Sequence, residues 1–180
     1  MKVGISLGAM VLGLLILFVS LVRTGWEMTR LDLGGEGLKT EPIYFEIRQP
    51  DGGIIKDYYK IPDSKVLPDD PTYGLKRWRD WLWYYLAGNS ESRARTALLI
   101  ADKRMGEMMK TGKLEVAREA VAWLVIASQY PPIGGQVYKA SLAYQQEVER
   151  IGKKSEKDGV KYLELSKKLK EISDENKEGN

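Results

Sequence analysis

The chain contains no cysteine and no histidine. Without cysteine there are no disulfides, no thiolate nucleophile and no thiolate metal site, although cysteine-free chains occur in every compartment. Without histidine there is no imidazole base, no histidine-assisted nucleophile and no imidazole ligand for zinc or haem. The commonest catalytic constellations are thereby excluded, leaving carboxylate and lysine chemistry. An excess of one charge is also missing. The 28 basic and 25 acidic residues give a net charge of only +3 and are interleaved along most of the chain. A dedicated nucleic-acid binder needs a concentrated basic face to displace counterions, so nucleic acid is not an expected partner.

What is present is a globular composition, 43% hydrophobic and 29% charged, in 180 residues. That is room for one modest domain plus extensions. Val3 to Val22 (VGISLGAMVLGLLILFVSLV) is twenty residues without a charge. As a helix it would match a hydrocarbon core of roughly 30 Å. Phe18-Val19-Ser20 fits a signal-peptidase site poorly, so residues 1–23 read as an uncleaved signal anchor contacting the bilayer through residues 3–22. Lys2 and the amino terminus favour a cytoplasmic N-terminus and an extracytoplasmic soluble domain, with Arg23 and Arg30 pulling the other way. Trp26 is placed as an interfacial anchor. Gly4 and Gly8 form a GxxxG pair that permits close helix packing, although glycine is frequent in spans regardless.

Residues 24–41 read as a polar, glycine-bearing linker. In 42–62, Ile43, Phe45 and Ile47 alternate with Tyr44, Glu46 and Arg48, the period of a half-buried strand. Gln49-Pro50-Asp51-Gly52-Gly53 is turn chemistry, and Ile54 to Ile61 is a second β-prone run. A hairpin is expected, lying against another element because an isolated one is marginal in water. From 66 to 175 the periodicity is helical, with 176–180 as a disordered tail. Asp70 or Thr72 caps the first helix, and Asn89 or Ser90 starts the second, which Gly112 ends. Pro131-Pro132-Ile133-Gly134-Gly135 interrupts the chain before a last helical region, either one bent helix or two. Its apolar heptad seam runs through Val137, Tyr144, Val148, Ile151, Tyr162, Leu165, Leu169 and Ile172. From Glu147 to Asn180 nine basic residues balance nine acidic ones, as on a solvated amphipathic surface.

RWRDWLWYYL, Arg77 to Leu86, concentrates three of the five tryptophans and two of the ten tyrosines. On a helical wheel Leu75, Trp78, Trp81, Leu82, Tyr85 and Leu86 fall within an arc of roughly 140°. Lys76, Arg77 and Asp80 lie opposite. Trp78, Trp81 and Tyr85 are therefore expected in the core. Trp83 and Tyr84, outside the arc, are the candidate interaction residues, with Lys76, Arg77 and Arg79 beside them. The basic-aromatic patch, which also includes Arg93 and Arg95, suits an anionic lipid or wall polymer. Met105, Met108 and Met109 at helical spacing read as core filling rather than a thioether metal site. The carboxylates of Asp102, Glu107, Glu115 and Glu119 read as surface charges.

The segment from Val66 to Ile151 resembles an uncharacterised family of exported bacterial proteins with an LPxSPxYxLKR-type opening. Leu67, Pro68, Pro71, Tyr73, Leu75, Lys76 and Arg77 carry that opening, and Asp80 stands near a usual glutamate. Ala101, Arg104, Met105, Glu107, Gly112, Lys113, Glu115 and Ala117 continue the likeness. The resemblance implies an exported helical domain behind a signal sequence or anchor, and no known activity. GKLEVAREAVAWLVIASQYPP is also similar to a single tetratricopeptide-type helix, but a solenoid needs about three copies and no second one is found.

The sequence thus predicts a mainly α protein: an N-terminal transmembrane helix, a short β-hairpin, and a small helical bundle with a long C-terminal helix. It predicts no catalytic, cofactor-binding or metal-ligating residue and no evident small-molecule substrate. The expected function is a non-enzymatic, membrane-anchored interaction protein, an accessory subunit of a membrane or envelope assembly with protein partners. The alternatives are a membrane-surface or envelope-polymer binder and a carboxylate-dependent hydrolase.

Overall fold

The computed structural model describes residues 8, 10–20, 40–48, 52–155 and 157–177. Residues 10–20 are helical (α1), with Met10–Ile16, Phe18 and Val19 exposed. The single-pass expectation is corrected at this point. Among the described residues no helix is long and apolar enough to cross a membrane. A run over 10–20 rises roughly 17 Å, about half of a hydrocarbon core. The signal anchor, the cytoplasmic N-terminus, the extracytoplasmic placement and the bilayer contact through 3–22 all rested on that span and are not retained. Gly8 is helical with open space about it. Gly4, Trp26 and the linker up to residue 39 lie outside the described residues.

Strands β1 (Thr40–Arg48) and β2 (Ile54–Pro62) form one antiparallel hairpin with Ile43 opposite Tyr59 and Tyr44 opposite Tyr58. Strand period two turns Ile43 and Phe45 inward and Tyr44 and Glu46 outward. Gly52 adopts φ +86° in the turn, a left-handed conformation that glycine enters without steric cost. Five helices follow: α2 (Tyr73–Leu86), α3 (Ser90–Thr111), α4 (Leu114–Ser128), α5 (Gly134–Gly152) and α6 (Gly159–Asn176). A short 3-10 turn, Pro131–Ile133, joins α4 to α5.

Helix α3 is the central element. Its start is capped by Asn89, whose Oδ1 accepts the Ser92 N–H at 2.8 Å. Gly112 closes it in the left-handed region at φ +63°. Met105 and Met108 are fully buried, and Met109 packs on the core, as core-filling methionines. Helix α4 folds back on α3 and seats Ala117, Ala120, Val121, Leu124 and Ala127 in the interior. The hairpin lies against α3 and α5.

The last helical region is two helices, the first ending at Gly152 and the second starting at Gly159. Most of the heptad seam is buried, with Ile151 and Leu165 half-buried. Asn176, placed in the tail by the sequence, is instead buried in the last turn of α6 and donates Nδ2–H to the Ile172 carbonyl. Helices α5 and α6 touch at Gly152, where an added Cβ would lie 2.7 Å from the Tyr162 Cβ. Tyr162 cannot yield, because it is buried and its hydroxyl donates to the Gly112 carbonyl at 2.7 Å. Gly152→Ala is therefore expected to destabilise by about 1–3 kcal/mol through overpacking, read as a lower Tm. An unchanged or raised Tm would show that the α5–α6 contact is not close-packed.

Candidate functional site

Helix α2 turns its polar side to the protein. Asp80 is its one buried residue, at 1% exposure. Trp78 and Trp81 are 46% and 47% exposed, and Leu75, Tyr85 and Leu86 more so. This reverses the expected core face. Trp83 and Tyr84, expected outside, are half-buried. Tyr84 packs edge-on against Trp123 of α4 at 5.3 Å between ring centroids, and the Lys103 ammonium lies over Trp83.

The reversal has an electrostatic cause. Beneath α2 stands Arg104 of α3, itself 2% exposed. Its Nη2 donates to Asp80 Oδ2 at 2.9 Å, and its Nη1 donates to Glu107 Oε1 and Oε2 at 2.9 and 3.2 Å. Glu107, fully buried, also accepts from Tyr73 Oη at 2.7 Å, Ser64 Oγ at 3.1 Å and Lys76 Nζ at 2.5 Å. Asp80 Oδ1 accepts from Arg79 Nη2 at 2.8 Å. Turning the indoles inward would pull Asp80 and Lys76 out of this network, taking the second carboxylate from the buried Arg104 and the ammonium from the buried Glu107. Removing one partner from a buried ion network costs about 3–5 kcal/mol, comparable to what burying one or two large apolar side chains contributes.

Burial disfavours the charge on Arg104, but the Glu107 and Asp80 carboxylates more than offset it and hold its pKa above the usual value. Burial lowers the Lys76 pKa, with Glu107 opposing. The Tyr73 hydroxyl is pushed up by burial and by Glu107, so it remains a donor. Arg104 Nε is a buried donor without a hydrogen bond, and the Glu119 carboxylate of α4 stands 3.4 Å from it. At that separation the two form an ion pair but not a hydrogen bond.

Above Arg104 lies a cleft of about 460 Å³ between α2 and α4. Trp78, Trp81 and Trp123 wall it, and Asp80, Arg104, Glu119 and Arg77 supply its polar groups. Arg77 Nη2 pairs with Glu119 Oε1 at 3.1 Å across the two helices. Arg77 is largely exposed, and such a pair contributes no more than about 1 kcal/mol.

Of the sequence-proposed interaction residues, Arg77 borders this cleft, while Lys76 and Arg79 serve the buried network. Trp83 and Tyr84 do not line the cleft. The reading of Asp102, Glu107 and Glu119 as surface charges is corrected: Glu107 and Asp102 are buried, and Glu119 is half-buried. Asp102 lies on another side of α3, accepting from Tyr59 Oη of β2 at 3.2 Å and Tyr144 Oη of α5 at 2.5 Å. The network was visible in the sequence only as the polar letters of the quoted motif, since Tyr73, Lys76, Asp80, Arg104 and Glu107 are among its positions and all meet here. Among the described residues no group of His, Cys, Asp or Glu is arranged to hold a metal ion. No family model matches the chain, and neither does any curated protein or solved structure, so the family resemblance gains no support from these comparisons.

Proposed function

We propose that this chain is a non-enzymatic interaction module, an accessory component of a larger assembly, whose binding surface is the indole face of α2 and α4. One observation carries the reading: α2 buries Asp80 and leaves Leu75, Trp78, Trp81, Tyr85 and Leu86 exposed. Exposed apolar patches of that kind are characteristic of recognition surfaces, and tryptophan is enriched at their energetic centres. The network below gives the face a rigid base. Its carboxylates are each held by arginine or lysine, which favours a structural role over proton transfer.

The test is the double substitution Trp78→Ala with Trp81→Ala. Both side chains are half-exposed, so Tm should change little. Ligands retained by the wild-type chain in cross-linking or affinity capture should be lost from the double variant. Equal retention by the two chains would refute this face as the binding surface.

A further inference from the structure

We infer that the cleft between α2 and α4 is a carbohydrate subsite that takes a neutral pyranose unit of a glycan, an assignment that rests on the indole face being the binding surface. Its volume of about 460 Å³ falls in the range of small-ligand sites, roughly 300–1,000 Å³. The walls are the indoles of Trp78 and Trp81 from one helix and Trp123 from the other. Flat, weakly polar rings of this size match the C–H faces of a pyranose and hold them at little entropic cost.

The polar groups decide the class of ligand. Arg77 and Arg104 are cationic, Asp80 and Glu119 anionic, so the cleft is formally neutral. An anion would meet two carboxylates and a cation two guanidiniums, which leaves a neutral ligand. That ligand must accept from the guanidiniums and donate to the carboxylates. Hydroxyl groups do both. A proline-rich segment also stacks on indoles, but its proline nitrogens carry no hydrogen and offer Glu119 no donor in place of Arg77.

Arg104 adds an independent pointer. Its Nε–H is buried without a hydrogen bond, at the Glu119 carboxylate that Arg77 holds from the exposed side. The Arg77–Glu119 pair is weak enough to open. A small shift of Glu119 would then admit a hydroxyl whose oxygen accepts from Arg104 Nε–H while its own O–H donates to the Glu119 carboxylate. The bound sugar thereby satisfies the orphaned donor. Asp80, held between Arg79 and Arg104, stays fixed, and no bond in the glycan is broken.

The experiment titrates the full chain with neutral tetrasaccharides (β-1,4-glucan, α-1,4-glucan and β-1,4-linked N-acetylglucosamine), reading tryptophan fluorescence and calorimetry. At least one is expected to saturate. Trp123→Ala and Glu119→Gln should each weaken it tenfold or more, whereas Tyr58→Ala, on the exposed face of the hairpin, should leave it unchanged. Because Trp123 also supports Tyr84, the Trp78→Ala, Trp81→Ala chain, altered at half-exposed positions, serves as a second variant and should lose binding, with circular dichroism confirming the fold. If no neutral sugar saturates, the neutral-pyranose assignment is overturned, and saturation by an anionic glycan or a proline-rich peptide instead leaves the indole face standing. If a sugar binds equally well to the Trp78→Ala, Trp81→Ala chain, both the assignment and the binding surface fall. Release of shorter oligosaccharides would overturn the non-enzymatic reading together with the statement that no glycan bond is broken.

Discussion

Replacing Arg104 with methionine is expected to lower the unfolding free energy by about 3–5 kcal/mol, the usual cost of removing one member of a buried ion network. The guanidinium satisfies Asp80 on α2 and both oxygens of Glu107 on α3. Its loss leaves Asp80 with Arg79 alone, and Glu107 with Lys76, Tyr73 and Ser64. Methionine matches much of the arginine's length, so lost packing contributes little and the effect isolates the charge. Arg104→Lys keeps the charge but cannot make the fork to two carboxylates, and should fall between wild type and methionine. The double change Arg104→Met with Glu107→Leu should cost more than Arg104→Met alone, because it also takes the carboxylate from Lys76, Tyr73 and Ser64. Urea denaturation would measure all three. A cost below about 1 kcal/mol for Arg104→Met would mean that the network does not hold α2 in place.

Asp102 should make stability depend on pH in the opposite sense to an ordinary ion-paired carboxylate. Burial raises its pKa to about 7, opposed only in part by the hydroxyls of Tyr144 and Tyr59. Above its folded pKa the carboxylate must be ionised in the interior, whereas the unfolded chain ionises it freely from about pH 4. The folded state therefore binds the proton more tightly, and the stability associated with protonated Asp102 is complete below about pH 4. It is lost as pH rises through about 7. Each unit of pKa corresponds to about 1.4 kcal/mol, so the total is on the order of a few kcal/mol. Asp102→Asn imitates the neutral form: its carbonyl accepts from one tyrosine and its amide donates to the other. The variant and the wild type should be close in stability near pH 4.5, with the variant more stable by a few kcal/mol at pH 8.5. Both tyrosines have pKa values raised by burial and by Asp102, so neither titrates in this window. The difference between two chains is the quantity to follow, because Asp57 and Glu149, with lowered pKa values, add the usual loss of stability in acid to both. A constant difference from pH 4.5 to 8.5 would show that Asp102 is not a buried titrating group.

The elements themselves were largely legible. Alternation in Ile43, Phe45 and Ile47, with Gly52 at the turn, specified the hairpin, and Asn89 and Gly112 bounded α3. The seam from Val137 to Ile172 foretold the interior of α5 and α6, but not their division into a helical hairpin. At the N-terminus hydropathy alone suggested a span, which the described helix over 10–20 does not provide.

Helix α2 shows the limit most clearly. Periodicity established that Leu75, Trp78, Trp81 and Tyr85 share one side, because side-chain direction is a local consequence of 3.6 residues per turn. It could not establish which side is covered. That depended on groups brought from 24 and 31 positions away, the Arg104 guanidinium that meets Asp80 and the Glu107 carboxylate that meets Lys76. The cost of unpaired buried charge depends on partners that only the folded chain supplies. The sequence by itself determined the elements, the turn and cap chemistry, and the absence of cysteine and histidine chemistry. The tertiary structure decided that Trp78 and Trp81 of RWRDWLWYYL line an outward cleft and that its aspartate lies inside, because Asp80 and Lys76 find their buried partners in Arg104 and Glu107.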